Sequence, residues 1–333
     1  MAKLKYPEAI RCAILEEMRQ DSRVFVMGQD VELFLFPPEI KREFAKARVR
    51  NTPISEAGFI GAGIGAALTG LRPIIELGCS TFLYSAMDQI VNQAAKNRYM
   101  FGGQASVPLV IRAPVFYGIA VAAHHSDRPW GMFAQAPGLK VIVPATAYDA
   151  KGLLKSAIRD GNPVLCFEDV GLTEQCDEVP DADYTVPIGA ARIRRVGSDL
   201  TVVSLAASVH TCLGAAEELS SQGISAEVVD LRTVVPLDRA TILESVAKTG
   251  RLIVVDPAPR MCGVAAEVSA LVAEEAFEFL KSPIVRLTAP DVPVPFSSRL
   301  EREMFPTTRG IVAAAVGLCG ERKWRVPEEA ARV

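Results

Sequence analysis

Short, fully apolar stretches alternate with segments of helical periodicity along this chain, and that alternation constrains the fold more than any other feature. Val24-Phe25-Val26-Met27, Pro73 to Leu77, Val107 to Ile111, Lys140 to Val143 and Val164 to Phe167 read as strands without a polar face. Strands of that kind belong in a mostly parallel sheet covered by helices on both sides. Helices are expected over Pro7 to Met18, from Pro37-Pro38 through Phe44, after Glu56, over Tyr84 to Met100 and over Asp149 to Arg159. A polar stretch, Thr173 to Val186, then breaks the rhythm. Beyond it the strands Leu200 to Leu205, Glu227 to Leu231, Leu252 to Val255 and Ile284 to Leu287 alternate with helices near Thr211 to Ser220, Asp238 to Lys248, Ala265 to Phe279 and Thr308 to Leu318. The expected architecture is α/β in two domains, 1–175 and 187–333, with a linker at 176–186. A chain of 333 residues, half of them hydrophobic, has enough apolar material for two cores.

The charge pattern narrows the partners. Net charge is −3 and the basic residues are scattered, so neither nucleic acid nor an anionic membrane is expected as a partner. No run approaches the roughly 18 apolar residues of a membrane span, and no signal-peptide core follows Met1-Ala2-Lys3-Leu4-Lys5. A cytoplasmic location is the expectation. The seven cysteines (Cys12, Cys79, Cys166, Cys176, Cys212, Cys262, Cys319) are odd in number and widely spaced, which suits buried reduced thiols better than zinc or disulfides.

Candidates for chemistry are few. Thr52-Pro53-Ile54-Ser55-Glu56-Ala57-Gly58 runs into Gly61-Ala62-Gly63-Ile64-Gly65-Ala66-Ala67. Pro53 pushes Thr52 out of helical geometry, Ser55 is placed to cap, and the small residues allow a close helix approach. Glu56 falls in the first turn, where the helix dipole favours a carboxylate, so a cap is its plain role. The glycines also fit G-x-G-x-x-A, which raises a dinucleotide-binding (NAD) protein as a rival. That fingerprint needs a strand leading straight into its first glycine, whereas Ile54 to Phe59 already reads as helix. His124 and His125 stand together in a loop after a strand-like run. A lone loop histidine is commonly just solvated, but two near the C-terminal edge of a parallel sheet lie where ligands gather, and imidazole titrates near neutrality. His210, at a helix start, reads as structural. HExxH, GxSxG, CxxC and P-loop patterns are absent, which argues against the classes they mark.

Several blocks in order resemble the β-subunit of the thiamine-diphosphate-dependent decarboxylase component of 2-oxoacid dehydrogenase complexes. They are Asn51 to Gly58, Gly70-Leu71-Arg72-Pro73, Met87 to Lys96, Pro137-Gly138-Leu139-Lys140-Val141, Asp149 to Leu154, Ala157-Ile158-Arg159-Asp160, Asp230-Leu231-Arg232-Thr233 and Pro236-Leu237-Asp238. The resemblance implies a pyrimidine-binding domain followed by a transketolase C-terminal-like domain. It matches Glu56 to the glutamate that hydrogen-bonds N1′ of the cofactor's aminopyrimidine, Phe82 to the aromatic ring against that pyrimidine, and Ile54 to a backbone contact. Phe82 has a plain alternative as a core phenylalanine. His125 matches the active-site histidine that steadies the substrate carboxylate, with His124 beside it in the pocket. Leu109, Ala157, Ile158, Asp160 and Asn162 match a loop that holds potassium as a structural ion.

The fold group binds Mg²⁺ and the diphosphate through a Gly-Asp-Gly motif, and none occurs in this chain. The resemblance therefore implies an α-subunit carrying those ligands, two α and two β chains, and a lipoylated acyltransferase core as acceptor. Departures from the family pattern fall around the pocket: Gly28 to Pro38 is shorter and greasier with Gln29 for glutamate, Gly78 and Cys79 replace bulkier residues, His124 replaces glutamine, and Asp127-Arg128-Pro129-Trp130 replaces a blander stretch. The expected function is 2-oxoacid decarboxylation with acyl transfer to lipoate. A biosynthetic carboligase is the alternative, and a non-catalytic scaffold subunit a third.

Overall fold

The computed structural model describes residues 1–31, 43–44, 48–116 and 118–320. The helix expected to open at Pro37-Pro38 lies outside the described residues up to residue 42. The chain divides into two compact units.

The first unit holds residues 1–117, 124–188 and 234–236. Its strands are β1 (Ala2–Lys5), β2 (Val24–Gly28), β3 (Val49–Asn51), β4 (Arg72–Glu76), β5 (Val110–Val115), β6 (Lys140–Ile142), β7 (Val164–Asp169), β8 (Cys176–Val179) and, late in the chain, β12 (Thr233–Val235). A seven-stranded sheet runs in the order β12-β6-β7-β5-β4-β2-β3, and β2 through β7 are mutually parallel. All five residues of β2 and all six of β7 are buried, as apolar strands covered on both faces must be. The neighbours β2 and β4 are followed by strands on opposite sides, β3 beyond β2 and β5 beyond β4, so the strand order reverses between them. Ligands in open parallel sheets bind at such a switch point, beyond the strands' C-terminal ends.

Helices Tyr6–Gln20 and Ala147–Arg159 pack together. The fully buried Lys155 lies between them, with its charge met by Glu16 at 2.5 Å and by Asp183. A buried ammonium left without such partners would cost several kcal/mol, roughly. The stretch 176–186, read from sequence as a linker, contains β8, which pairs antiparallel with β1 in register Ala2 to Val179.

In the second unit, β9 (Arg192–Arg195), β10 (Leu200–Ser204), β11 (Ala226–Asp230), β13 (Leu252–Pro259) and β14 (Val285–Ala289) form a sheet in the order β14-β13-β10-β11-β9. The edge strand β9 is antiparallel and too charged for an apolar pattern to reveal it. Leu200, Val202, Val228 and Ile253 pack with Cys212 and Leu219 of helix Ser208–Ser221 and with Ile311 and Leu318 of helix Thr308–Cys319. His210 lies in the first turn of the former helix. Residues 118–123 also belong to this unit: the buried Glu301 carboxylate accepts from the Gly118 and Ala120 amides at 2.9 and 3.0 Å. Ala120 and Ala122 are left-handed (φ 54° and 64°), a conformation that costs a non-glycine residue roughly 1–2 kcal/mol.

The expectation of buried thiols holds for Cys79, Cys166 and Cys212. It fails for Cys176 and Cys262, which are exposed because they lie on an edge strand and in a loop.

Candidate active site

Three strand ends carry the candidate residues. Beyond β3 the Thr52 amide donates to the Gly28 carbonyl at 2.9 Å, and after Pro53 and the 80% exposed Ile54 the chain enters helix Glu56–Leu68. Ser55 does not cap with its hydroxyl as expected. Its φ and ψ of −165° and 77° turn the side chain toward Gly58, and only its carbonyl serves the helix, accepting from the Phe59 amide at 3.0 Å. Gly63 accounts for the close helix packing, since a Cβ there would meet Ile75 Cδ1 of β4 at 2.7 Å. The G-x-G-x-x-A residues lie inside this helix and not at a strand-to-helix turn, so they lack the geometry of a dinucleotide site. Glu56 is half-buried in the first turn and accepts from Ser85 Oγ at 3.3 Å.

Ser85 belongs to the segment after β4. The single helix expected over Tyr84 to Met100 is instead a 3₁₀ helix, Ser80–Ala86, a π-helical stretch, Asp88–Ala94, and a short α-helix, Ala95–Met100. Such irregular windings recur at functional sites, where they redirect side chains. The 3₁₀ helix places Phe82 edge-on to His125, with ring centroids 5.7 Å apart and planes at 74°. The same segment pins the histidine backbone. Thr81 Oγ1 donates to the His124 carbonyl at 2.5 Å, Cys79 Sγ to the His125 carbonyl at 3.5 Å, and Ser80 Oγ to the Asp127 carbonyl at 2.8 Å. Glu56, Phe82 and His125 are thus brought together at the C-terminal edge of the first sheet. His124 is exposed beside them.

Two buried oxygens in this region, Gln29 Oε1 after β2 and Thr52 Oγ1 after β3, have no hydrogen-bond partner among the described residues. An unsatisfied buried acceptor costs roughly 1–3 kcal/mol, so these ends suit a ligand that brings donors, as an aminopyrimidine does. Among the described residues no group of three or more His, Cys, Asp or Glu is placed to hold a metal ion.

Sequence reasoning missed a buried triad in the same sheet. Arg112 of β5 donates in bidentate fashion to Glu168 of β7, both bonds 2.7 Å, and its third nitrogen pairs with Glu76 at the end of β4. Burial pushes the Glu76 carboxyl up to about 7, because the guanidinium shared with Glu168 only partly offsets the lost solvation and Glu168 adds repulsion. Burial opposes the Arg112 charge, but the two carboxylates more than restore it. The pairing joins residues 36 and 56 positions apart, which no local pattern encodes.

The proposed cation loop lies elsewhere. Leu109 immediately precedes β5, and Ala157, Ile158, Asp160 and Asn162 sit at the end of helix Ala147–Arg159 before β7, so this cluster is at the N-terminal edge of the sheet, opposite Glu56. The Ile158 and Asp160 carbonyls accept from Arg72 Nη1 at 2.7 and 3.0 Å, and the Leu109 carbonyl from the Val164 amide at 2.8 Å. The Asp160 carboxylate pairs with Lys140 and accepts from the Asn162 amide and side chain. Burial raises its pKa, but these hydrogen bonds outweigh burial and hold it below the usual carboxylate value.

Known proteins match the chain in both of its parts. Residues 2–175 match the family described as Transketolase, pyrimidine binding domain, and residues 189–311 match Transketolase, C-terminal domain. The chain is 44% identical over 330 residues to an acetoin:2,6-dichlorophenolindophenol oxidoreductase subunit beta of Bacillus subtilis, covering 94% of this chain and 96% of that one. It is 44% identical over 324 residues to a pyruvate dehydrogenase E1 component subunit beta of Rhizobium meliloti (96% of this chain, 70% of that one). A 2-oxoisovalerate dehydrogenase subunit beta of Bacillus subtilis is 43% identical over 320 residues (94% and 98%). The fold is similar to that of a split gene transketolase solved as an inactive beta4 tetramer, with a TM-score of 0.78 at 23% identity over 95% of this chain and 98% of that one. Two transketolase-type domains and this extent of identity place the chain in the family of E1 β-subunits of thiamine-diphosphate-dependent 2-oxoacid dehydrogenases.

Proposed function

We propose that this chain is the β half of a heteromeric enzyme that decarboxylates a pyruvate-like or branched-chain 2-oxoacid and passes the acyl group to a lipoyl acceptor. The observation that carries this reading is the meeting of Glu56, Phe82 and His125 at the switch point of a parallel sheet in a member of this family. When bound, thiamine diphosphate supplies the carbon nucleophile for the 2-oxo carbonyl and a sink for the electron pair that CO₂ leaves behind. Glu56, oriented by Ser85, holds the proton shared with the pyrimidine N1′. Phe82 packs on the pyrimidine, and the Ile54 backbone contacts it. His125 steadies the substrate carboxylate, and His124 sets the polarity of the mouth.

Diphosphate and Mg²⁺ ligands come from an α-subunit in an assembly of two α and two β chains, because this sequence has no Gly-Asp-Gly motif. Leu109, Ala157, Ile158, Asp160 and Asn162 hold a potassium ion as a structural ion through backbone carbonyls and one carboxylate. The protein works in the cytoplasm, with a pyrimidine-binding domain that takes in the stretch 176–186 through β8, followed by a C-terminal domain. One observation favours a carboligase as second reading: the mouth carries a hydrogen-bonded pair, Tyr84 and Asp127, in a stretch that departs from the family pattern.

Co-expression with a candidate α-subunit, followed by a 2-oxoacid panel, a lipoylated carrier domain and a set of aldehydes, tests the proposal. Reductive acylation of the carrier is expected. Carbon–carbon bond formation without acylation would establish the carboligase instead, and inactivity with every substrate would point to a scaffold subunit.

A further inference from the structure

Tyr84 Oη donates to Asp127 Oδ2 at 2.9 Å. The pair repeats, two residues further along both segments, the contact between Phe82 and His125. Alternation in the loop explains why: Ser126 and Arg128 are buried at 1% and 4% exposure, whereas His125 and Asp127 on the other side of the backbone remain partly open. Asp127 therefore shares a face with the histidine. Its backbone is fixed as well, through the bond from Ser80 Oγ to its carbonyl. Tyr84 is 38% exposed, and its neighbour Ser85 reaches Glu56. The Asp127 carboxylate accepts from the Tyr84 hydroxyl and stays partly exposed, so it remains open to a further donor.

We infer that Asp127, positioned by Tyr84, is a specificity-determining carboxylate that selects 2-oxoacids whose side chain carries a hydrogen-bond donor and rejects those with a second carboxylate. The inference rests on the function proposed above. Its physical basis is twofold. A site group that accepts a hydrogen bond discriminates strongly against a substrate unable to supply the donor. A fixed carboxylate in a partly desolvated rim repels a like charge, and that repulsion weakens with salt.

The test uses the complete α/β assembly with three probes: 2-oxobutyrate, 4-hydroxy-2-oxobutyrate and 2-oxoglutarate. In Asp127→Asn, an isosteric change, the ratio of kcat/KM for 2-oxoglutarate over 2-oxobutyrate is expected to rise about 10-fold or more, and the hydroxylated-over-alkyl ratio to fall about 10-fold. Tyr84→Phe should move both ratios the same way by less. A second readout is independent of turnover. Burial, reinforced by Asp127, holds the Tyr84 hydroxyl well above the ordinary tyrosine value, so difference titration at 295 nm should show its ionisation moving down in Asp127→Asn. Ratios unchanged in Asp127→Asn would overturn the inference, even if that titration showed the pair intact in solution. Failure of the wild-type assembly to turn over any 2-oxoacid would overturn the underlying function instead, and the inference with it.

Discussion

Phe82 and His125 meet edge to face, 5.7 Å between ring centroids, and the contact joins the segment after β4 to the one after β5. A contact of this kind is worth about 0.5–1.5 kcal/mol, enough to favour one orientation of the imidazole. Replacing His125 with Ala should leave cofactor binding within a few-fold and cut kcat by about 10²–10³, because the lost group acts on charge that develops during reaction. His124→Gln should keep most of the turnover and shift substrate or acceptor preference. Steady-state kinetics on both variants check the division, and equal loss of all activity in the two would refute it.

The Glu76 carboxyl gives a pH signature. Its pKa is raised to about 7 in the folded protein, so the folded state binds the extra proton and stability falls as pH rises from the ordinary carboxylate range to about 7. Glu76→Gln mimics the protonated form. Its melting temperature should match wild type below about pH 4.5, pull ahead as pH rises, and hold a constant lead above pH 7. Parallel melting curves across that range would show that Glu76 stays ionised beside Arg112.

The cation loop can be tested by exchange of salts. If potassium binds at Ile158 and Asp160 alongside Arg72, replacing K⁺ by tetramethylammonium at equal ionic strength should lower the melting temperature by about 2–4 °C, the effect of roughly 1 kcal/mol. No difference would mean that Arg72 and Lys140 are the only cations the loop uses.

Much of this was legible in the sequence because the strands are buried on both faces: Val24 to Met27 and Val164 to Phe167 could be little else. Glu56 was visible as a helix cap because a carboxylate follows a proline break at a helix start, and its place beside the pyrimidine came only from the family resemblance. Four features were not legible. The 3₁₀ and π windings of residues 80–94 are imposed by packing on residues their own periodicity does not reveal. The strand pair β1 with β8 spans most of the first unit. The Arg112 triad and the pair of Tyr84 with Asp127 join side chains distant in sequence, and only the parallel sheet brings them into register.

The isolated chain should bind thiamine diphosphate at least about 100-fold more weakly than the α/β assembly, since charge-assisted contacts to the diphosphate would be missing. Calorimetry with and without Mg²⁺ decides this. Tight, Mg²⁺-dependent binding by the chain alone would contradict the two-subunit arrangement.

The central claim is that Glu56 handles the proton that activates the cofactor, and deuterium exchange at C2 of bound thiamine diphosphate measures it directly. In the α/β assembly, acid quench and proton NMR should show exchange slowed by about 10² or more in Glu56→Gln, with the complex intact. Exchange at the wild-type rate would contradict the account and leave Glu56 as the acidic cap of its helix.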